Sequence, residues 1–492
     1  MVPLYEKLFA DTETPVSVYS KIRDESPFSF LLESVEGGEH VGRYSFIGFN
    51  PFMNFEIRGK RFSLHPRHDD VMVLPRLVSE DDHPLEALKK IFAHLRPVRL
   101  SGLPRLTGGA IGYFSYEAAQ LVENIPVAAR DDLKIPDGFL MFCDLLLVFD
   151  NVSHSLYIVS NAYIPPNSTE QLLVEAYEKA AEELSTLSSL ITSKQPAPLG
   201  AYTISAGFQR ETSKGEFVEN VRKTKQYIVE GDIFQLVLSQ RVKRPADVDT
   251  FDLYRALRVV NPSPYMYYLS IDGTDIIGSS PEMLVRVENQ RVETRPIAGT
   301  RARGESGEED ERLAQELLND EKERAEHLML VDLGRNDLGR ISVFGSVSVK
   351  QLMTIERYSH VMHIVSSIQG KLRPDLTAVD ALFACFPAGT LTGAPKIRAM
   401  EIIAELENVR RGVYGGAIVY FDFSGSMDSC IAIRTIVAKE KMLYFQAGAG
   451  IVFDSLPERE YEETLEKLGA NLKALELIER RTATSLPTMA ES

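Results

Sequence analysis

The chain has 492 residues, 44% of them apolar and 25% charged, with a formal net charge of −16. That is a globular composition at a length suited to two domains or one large one, and its acidic surface repels nucleic acid and anionic lipid. No apolar stretch approaches the roughly 20 residues of a membrane helix, and no secretory signal opens the chain.

From the N-terminus, the segments Gly42–Phe49, Phe139–Asp150 and Ser155–Tyr163 are short, apolar and bounded by Gly, Pro or Asn, which predicts strands. Ser168 with Gln171 forms a capping-box pattern. Leu173, Tyr177, Ala180, Leu184 and Leu187 follow at spacings of four and three, predicting a helix that buries this stripe. Ser185 to Gly200 turns to Ser, Thr, Pro and Gln and reads as a linker. It divides an N-terminal domain, residues 1–200, from a second domain, 205–478, leaving 479–492 as an unstructured tail. Strands and helices mix without regular βαβ alternation, so the class is α+β. Cys143, Cys385 and Cys430 are widely spaced with no CxxC, which fits a reducing, cytoplasmic setting.

The second half carries the chemistry. Glu323 and Glu326 lie three apart in a helical segment in which Leu328, Met329 and Val331 include the buried positions. Glu460 and Glu463 do the same behind Pro457. Acidic residues in a first turn also complement the helix dipole, so each pair alone fits a solvated face. Together they fit a hard-cation site. Arg295, Arg301 and Arg303 surround Ala298-Gly299-Thr300. A second glycine cluster, Gly448-Ala449-Gly450, separates two strand-like runs, as a tight hairpin or as backbone donors open to an anion. Phe386 to Lys396 is a loop rich in hydroxyls that leads into a helix near Pro395. His360 and His363 lie in an apolar stretch. No catalytic-triad, HExxH or zinc-ligand spacing occurs. With an acidic surface, any anionic substrate needs a local arginine or metal.

The chain also carries Gly231-Asp-Ile-Phe-Gln-Leu-Val-Leu-Ser-Gln240, Ser279-Ser-Pro-Glu282, Ala325-Glu-His through Asn336-Asp337, Pro387-Ala-Gly-Thr-Leu-Thr-Gly-Ala-Pro-Lys396, Tyr414-Gly-Gly416 and Ala432-Ile-Arg434-Thr435. With the glycine segments, and in this order, these motifs resemble the chorismate-utilising enzymes, specifically the large subunits (component I) of anthranilate synthases. The resemblance covers nearly the whole chain and is strongest from Phe217 to Leu468. It implies layered antiparallel β-sheets, a sandwich-like core, flanked by helices, with the site in a cleft of the second domain. It implies Mg²⁺ held by Glu326 and Glu463, with Glu323 and Glu460 beside them or acting through water. Arg434 and Tyr414 would hold the enolpyruvyl carboxylate of chorismate, with backbone donors from Gly448, Ala449, Gly450, Gly299 and Thr300. Glu282 is expected to protonate the leaving hydroxyl, His363 to assist ring deprotonation, and Thr390 to position substrate or His363.

Two positions separate the relatives. Salicylate and isochorismate synthases carry a water-activating lysine where this chain has Gln235, and many aminodeoxychorismate synthases carry a nucleophilic lysine where it has Ala298. Both favour amination to anthranilate. An inactive regulatory relative would lack a metal glutamate, Arg434 or His363, and none is missing. No Gly-x-Cys-x-Gly elbow occurs, so a separate glutaminase subunit is expected, in a heterotetramer of two large and two small subunits. Leu31 to Ser34, Arg43 to Ser45 and Asn261 to Met266 resemble the family's L-tryptophan feedback site. There Glu33 and Ser34 would take the amino group, Pro264, Tyr265 and Met266 would flank the indole, and Arg43 would lie nearby. The chain itself contains no tryptophan.

Overall fold

The computed structural model describes residues 1–35, 42–67, 73–165, 167–200, 202–204, 207–358 and 361–484, the last five by their backbone alone. Its framework is two large antiparallel sheets. The first runs in the order Val2–Phe9, Ser155–Ala162, Leu145–Asp150, Tyr44–Phe49, Phe28–Glu33, Tyr265–Ile271, Thr274–Ser280, Thr435–Lys439, Met442–Ile451, Gln235–Pro245 and Gln209–Arg210, with Gly393–Ala394 also on Gln235–Pro245. The second runs Ile297–Ala302, Val361–Lys371, Arg291–Thr294, Met283–Glu288, Met427–Ile431, Ala417–Asp422, Gly109–Phe114, Gly138–Cys143, Met53–Arg58 and Arg61–Pro66, with Ser348–Arg357 also on Val361–Lys371.

The side-chain alternation of the strands explains the layering. Along Gly138–Cys143, Phe139, Met141 and Cys143 enter a core that also takes Phe30, Leu146, Tyr267 and Val437 from the other sheet. Their neighbours Leu140 and Phe142 face Leu88, Phe383 and Leu382 on helices behind the second sheet. On the first sheet, Leu147 and Phe149 face a helical layer with Val18, Leu257 and Leu475. The order is helices, sheet, sheet, helices, which bears out the α+β expectation. With both faces of each sheet covered, central strands read as continuous apolar runs. Each such Leu or Phe contributes roughly 1.5–3 kcal/mol when fully buried.

Both sheets cross the expected domain boundary. Glu33 pairs with Met266 at the join in the first sheet, and Phe114 pairs with Ala417 in the second. The helix predicted near residue 170 runs Glu170–Ser193, into the expected linker, because Leu187 and Ile191 extend its buried stripe. Its cap is Thr169, not Ser168, and Leu173 and Tyr177 at its start are exposed. The Phe139–Asp150 run is two strands, Gly138–Cys143 and Leu145–Asp150, one in each sheet. The last helix, Pro457–Thr484, continues past residue 479, while 485–492 lie outside the described residues.

Candidate active site

The two acidic pairs sit on helices Glu321–Gly339 and Pro457–Thr484. Asp320 caps the first by accepting from the Lys322 and Glu323 amides at 3.0 and 3.1 Å. His327, wholly buried, pins that helix through Nε2 and the Ser366 hydroxyl at 2.6 Å, so its neighbour Glu326 turns the other way. Val331 is buried as expected, whereas Leu328 is exposed.

The four glutamates are linked pairwise by their charges. Burial raises the pKa of Glu323, Glu326 and Glu460, and repulsion adds to it: Glu463 acts on Glu323 and Glu460, and Glu323 acts on Glu326. Few partners relieve this charge. Lys467 pairs with Glu463 at 2.7 Å, Arg301 approaches Glu323 at 3.7 Å, and the Gln235 amide donates to Glu326 at 3.4 Å. Among the described residues, no three His, Cys, Asp or Glu side chains stand close enough to share one ion. The donor set is nevertheless all hard oxygen and part-buried, which fits Mg²⁺.

Glu463 also acts on a buried cation, Arg434. Arg434 sits at the end of its loop with φ of 53°, in the left-handed region where a non-glycine residue is strained by about 1–3 kcal/mol. Its guanidinium donates to the Lys467 carbonyl and makes no ion pair among the described residues. Burial lowers its pKa, while Tyr414 and Glu463 act on it from farther off. Tyr414 is buried, and its hydroxyl reaches Gly448, where a Cβ would come within 2.8 Å of it. A Cβ on Gly450 would meet the Gln235 amide at 2.7 Å. These glycines form neither a hairpin nor a turn. They lie within the strand Met442–Ile451, paired throughout with Gln235–Pro245. Thr435–Lys439, on the other edge, pairs only as far as Phe445, so Gly448, Ala449 and Gly450 have one edge without a strand partner. The Gly448 carbonyl accepts from Lys467 at 3.0 Å.

Gly299 makes a bulge in Ile297–Ala302, with φ of 73°. Its carbonyl lies 3.2 Å from His363 Nδ1, and Thr300 Oγ1 lies 3.0 Å from the same nitrogen. A carbonyl only accepts, so Nδ1 carries the proton in this contact and Nε2 is the lone-pair nitrogen. Burial lowers the His363 pKa, which favours this neutral form. Glu282 is buried and pushed up to about 8 by desolvation, partly offset by Thr390 and the Ile297 amide. The Thr390 hydroxyl is itself buried without a well-aligned hydrogen bond. Lys396, in the same loop, serves an ion pair with Asp337 at 3.0 Å. Arg295, Arg301 and Arg303 are all engaged by carboxylates.

The sequence pattern of the chorismate-binding enzymes matches residues 14–473. The chain belongs to the chorismate-binding enzyme family. Anthranilate synthase component 1 of Acetivibrio thermocellus is 50% identical over 483 residues, covering 97% of this chain and 95% of its own length. That of Aquifex aeolicus is 45% identical with 97% and 95% covered. The crystal structure of anthranilate synthase component I from Streptococcus pneumoniae superposes with a TM-score of 0.73 at 38% identity, covering 88% of this chain and 92% of its own. The chain is thus a component I member of the family.

A second pocket lies between the sheets, lined by Glu33, Ser34, Pro264, Tyr265 and Met266 together with Arg105, Arg286 and Asp428. Arg43 is outside this lining, held by Asp150 at 2.9 Å. The Glu33 carboxylate is occupied by the Tyr254 hydroxyl at 2.6 Å and by Arg258 at 3.2 Å. Sequence reasoning missed the Arg286–Asp428 pair at 2.6 Å in this pocket. It also missed Lys467, although the Glu463/Lys467 spacing of four was legible. His360 lies outside the described residues.

Proposed function

We propose that this chain is the large subunit of an anthranilate synthase, converting chorismate and ammonia to anthranilate and pyruvate through aminodeoxyisochorismate. What supports the reading is that the buried Arg434 feels both Tyr414 and Glu463, while an amide, Gln235, donates to Glu326. An amide does not deprotonate water, so the nucleophile arrives already formed, as ammonia. Alanine at 298 offers no covalent alternative.

Arg434 and the Tyr414 hydroxyl receive the enolpyruvyl carboxylate. A buried guanidinium without an ion-pair partner is costly until an anion arrives, so substrate binding relieves it. The open edge at Gly448 to Gly450 and the bulge at Gly299-Thr300 let backbone groups approach the substrate. Glu326 and Glu463, assisted by Glu323 and Glu460, are the residues that would hold Mg²⁺. Bound there, the ion would offset the charge of the ring carboxylate among the glutamates. Glu282 enters as the acid and gives its proton to the departing hydroxyl. His363 then takes the ring proton at Nε2, its tautomer fixed by the Gly299 carbonyl, and pyruvate leaves. Thr390 steadies the Glu282 carboxyl.

A separate glutaminase subunit supplies ammonia, which at neutral pH is mostly non-nucleophilic ammonium, and the complex is a heterotetramer of two large and two small subunits. L-Tryptophan occupies the pocket of Ser34, Pro264, Tyr265 and Met266 as a feedback inhibitor. Purified chain with chorismate, Mg²⁺ and an ammonium salt gives fluorescent anthranilate, and glutamine replaces ammonium only after the glutaminase is added. Salicylate or 4-amino-4-deoxychorismate as the main product would overturn the assignment.

A further inference from the structure

The side chain of Arg411 is 1% exposed and sits behind the substrate face of the cleft. Its Nε and Nη2 grip both oxygens of Glu407 at 2.8 and 2.6 Å. Nη1 donates to the Leu391 carbonyl at 2.7 Å and Nη2 to the Val237 carbonyl at 2.8 Å. The guanidinium carbon lies 4.6 Å from the Tyr116 ring centre and 5.6 Å from that of Tyr414. Its own amide and that of Gly412 donate to the buried Glu117 carboxylate at 2.7 and 3.0 Å. Glu407 is fixed in turn by the Ser239 amide and hydroxyl, both at 2.8 Å.

Three of these contacts lie at or near a residue proposed for the site. Leu391 follows Thr390, Val237 is two residues after Gln235, and Tyr414 is three residues after Arg411 itself. A planar guanidinium can brace an aromatic ring while its fork is fully engaged at the edge, which an ammonium cannot do. A cation against the ring also draws charge from the phenol, making its hydroxyl a stronger donor towards an anion. The Tyr414 hydroxyl sits over Gly448, where a Cβ would come within 2.8 Å of it.

We propose that Arg411 is the positioning residue of the substrate cleft, holding Tyr414 over Gly448 in register with the Thr390 loop and the Gln235 strand so that its hydroxyl meets the substrate carboxylate. This rests on the reading of Tyr414 as a chorismate ligand. A residue that only stabilises the fold lowers the melting temperature and the active fraction; one that acts through Tyr414 changes chorismate affinity and does so only while the Tyr414 hydroxyl is present.

The test is a double-mutant cycle, with kcat and chorismate KM measured with Mg²⁺ and ammonium for wild type, Arg411→Lys, Tyr414→Phe and the double variant, and folding checked by circular dichroism. Arg411→Lys is expected to raise KM about tenfold while kcat falls by no more than about threefold, and to change KM less than about twofold when Tyr414 is already Phe. A folded Arg411→Lys with wild-type KM, or effects that multiply in the double variant, overturns the proposal. If Arg411→Lys does not fold, Tyr116→Leu replaces it in the cycle, freeing one side of the guanidinium without unpairing Glu407; the same coupling is expected, and independent effects overturn the proposal. Tyr414→Phe with unchanged KM refutes the ligand reading itself, and this inference with it, which distinguishes the two failures.

Discussion

A carboxyl group that must donate a proton near neutral pH needs its charged form penalised, and burial does this to Glu282, pushing it up to about 8. The acid form therefore predominates at pH 7 and is lost as pH rises through that value. Activity expressed per free NH₃ is expected to fall above about pH 8, and Glu282→Gln to lose roughly a hundredfold or more in kcat together with that limb of the profile. An unchanged limb in the variant would assign the titration to another group. If His363 acts at the second step, as proposed, His363→Ala lets aminodeoxyisochorismate build up while amination continues. Equal loss of both steps, followed by chromatography of the reaction mixture, would remove the division of labour. These chemical identities were legible in the motifs. What motifs do not carry is environment: the bond from Nδ1 to Gly299 and the pairing of the Arg434 guanidinium with a carbonyl instead of a carboxylate arise from packing between distant segments.

Among the elements, glycine plays two opposite parts. Gly448 and Gly450 look like a turn in sequence, yet they continue a ten-residue strand. Their missing side chains make room for Tyr414 and Gln235 and do not reverse the chain. Gly299 is the converse case, a strand residue whose conformation does require glycine. Its φ is 73°, and a Cβ there would stand 3.1 to 3.2 Å from atoms of Glu323, Ile364 and Leu317, so alanine fits poorly. Gly299→Ala is expected to cost about 1–2 kcal/mol, read as a lower urea midpoint. A midpoint equal to wild type would show that the bulge relaxes. The helix at Glu170–Ser193 shows the other limit of pattern reading: the apolar spacing located it, but the first turns of the stripe have nothing to pack against, and Leu173 and Tyr177 remain exposed.

Across the whole molecule, two sheets run through both halves of the chain, so the pocket at Glu33 and Ser34 shares a strand with the surroundings of Glu282. Met427–Ile431 lines the pocket with Asp428, Ser429 and Cys430, and its Ile431 amide then donates to the Glu282 carbonyl at 3.1 Å. The residue-200 boundary was legible as a change in composition, while the strand exchange across it was not, because pairing over more than 200 positions leaves no local signal. Ligand at Ser34 is therefore well placed to bias the cleft. Because the chain lacks tryptophan, indole emission on adding L-tryptophan reports the ligand alone. Ser34→Ala is expected to weaken both that signal and inhibition at least tenfold, about 1.4 kcal/mol; inhibition equal to wild type would place the inhibitor elsewhere.

The central claim is that glutamates from two separate helices serve one divalent ion. Calorimetric titration of Mg²⁺ into the chain in the presence of chorismate tests it most directly. The account predicts a single site per chain that is lost in Glu326→Gln and, independently, in Glu463→Gln, with folding retained. Mg²⁺ binding of wild-type strength in either folded variant would contradict it.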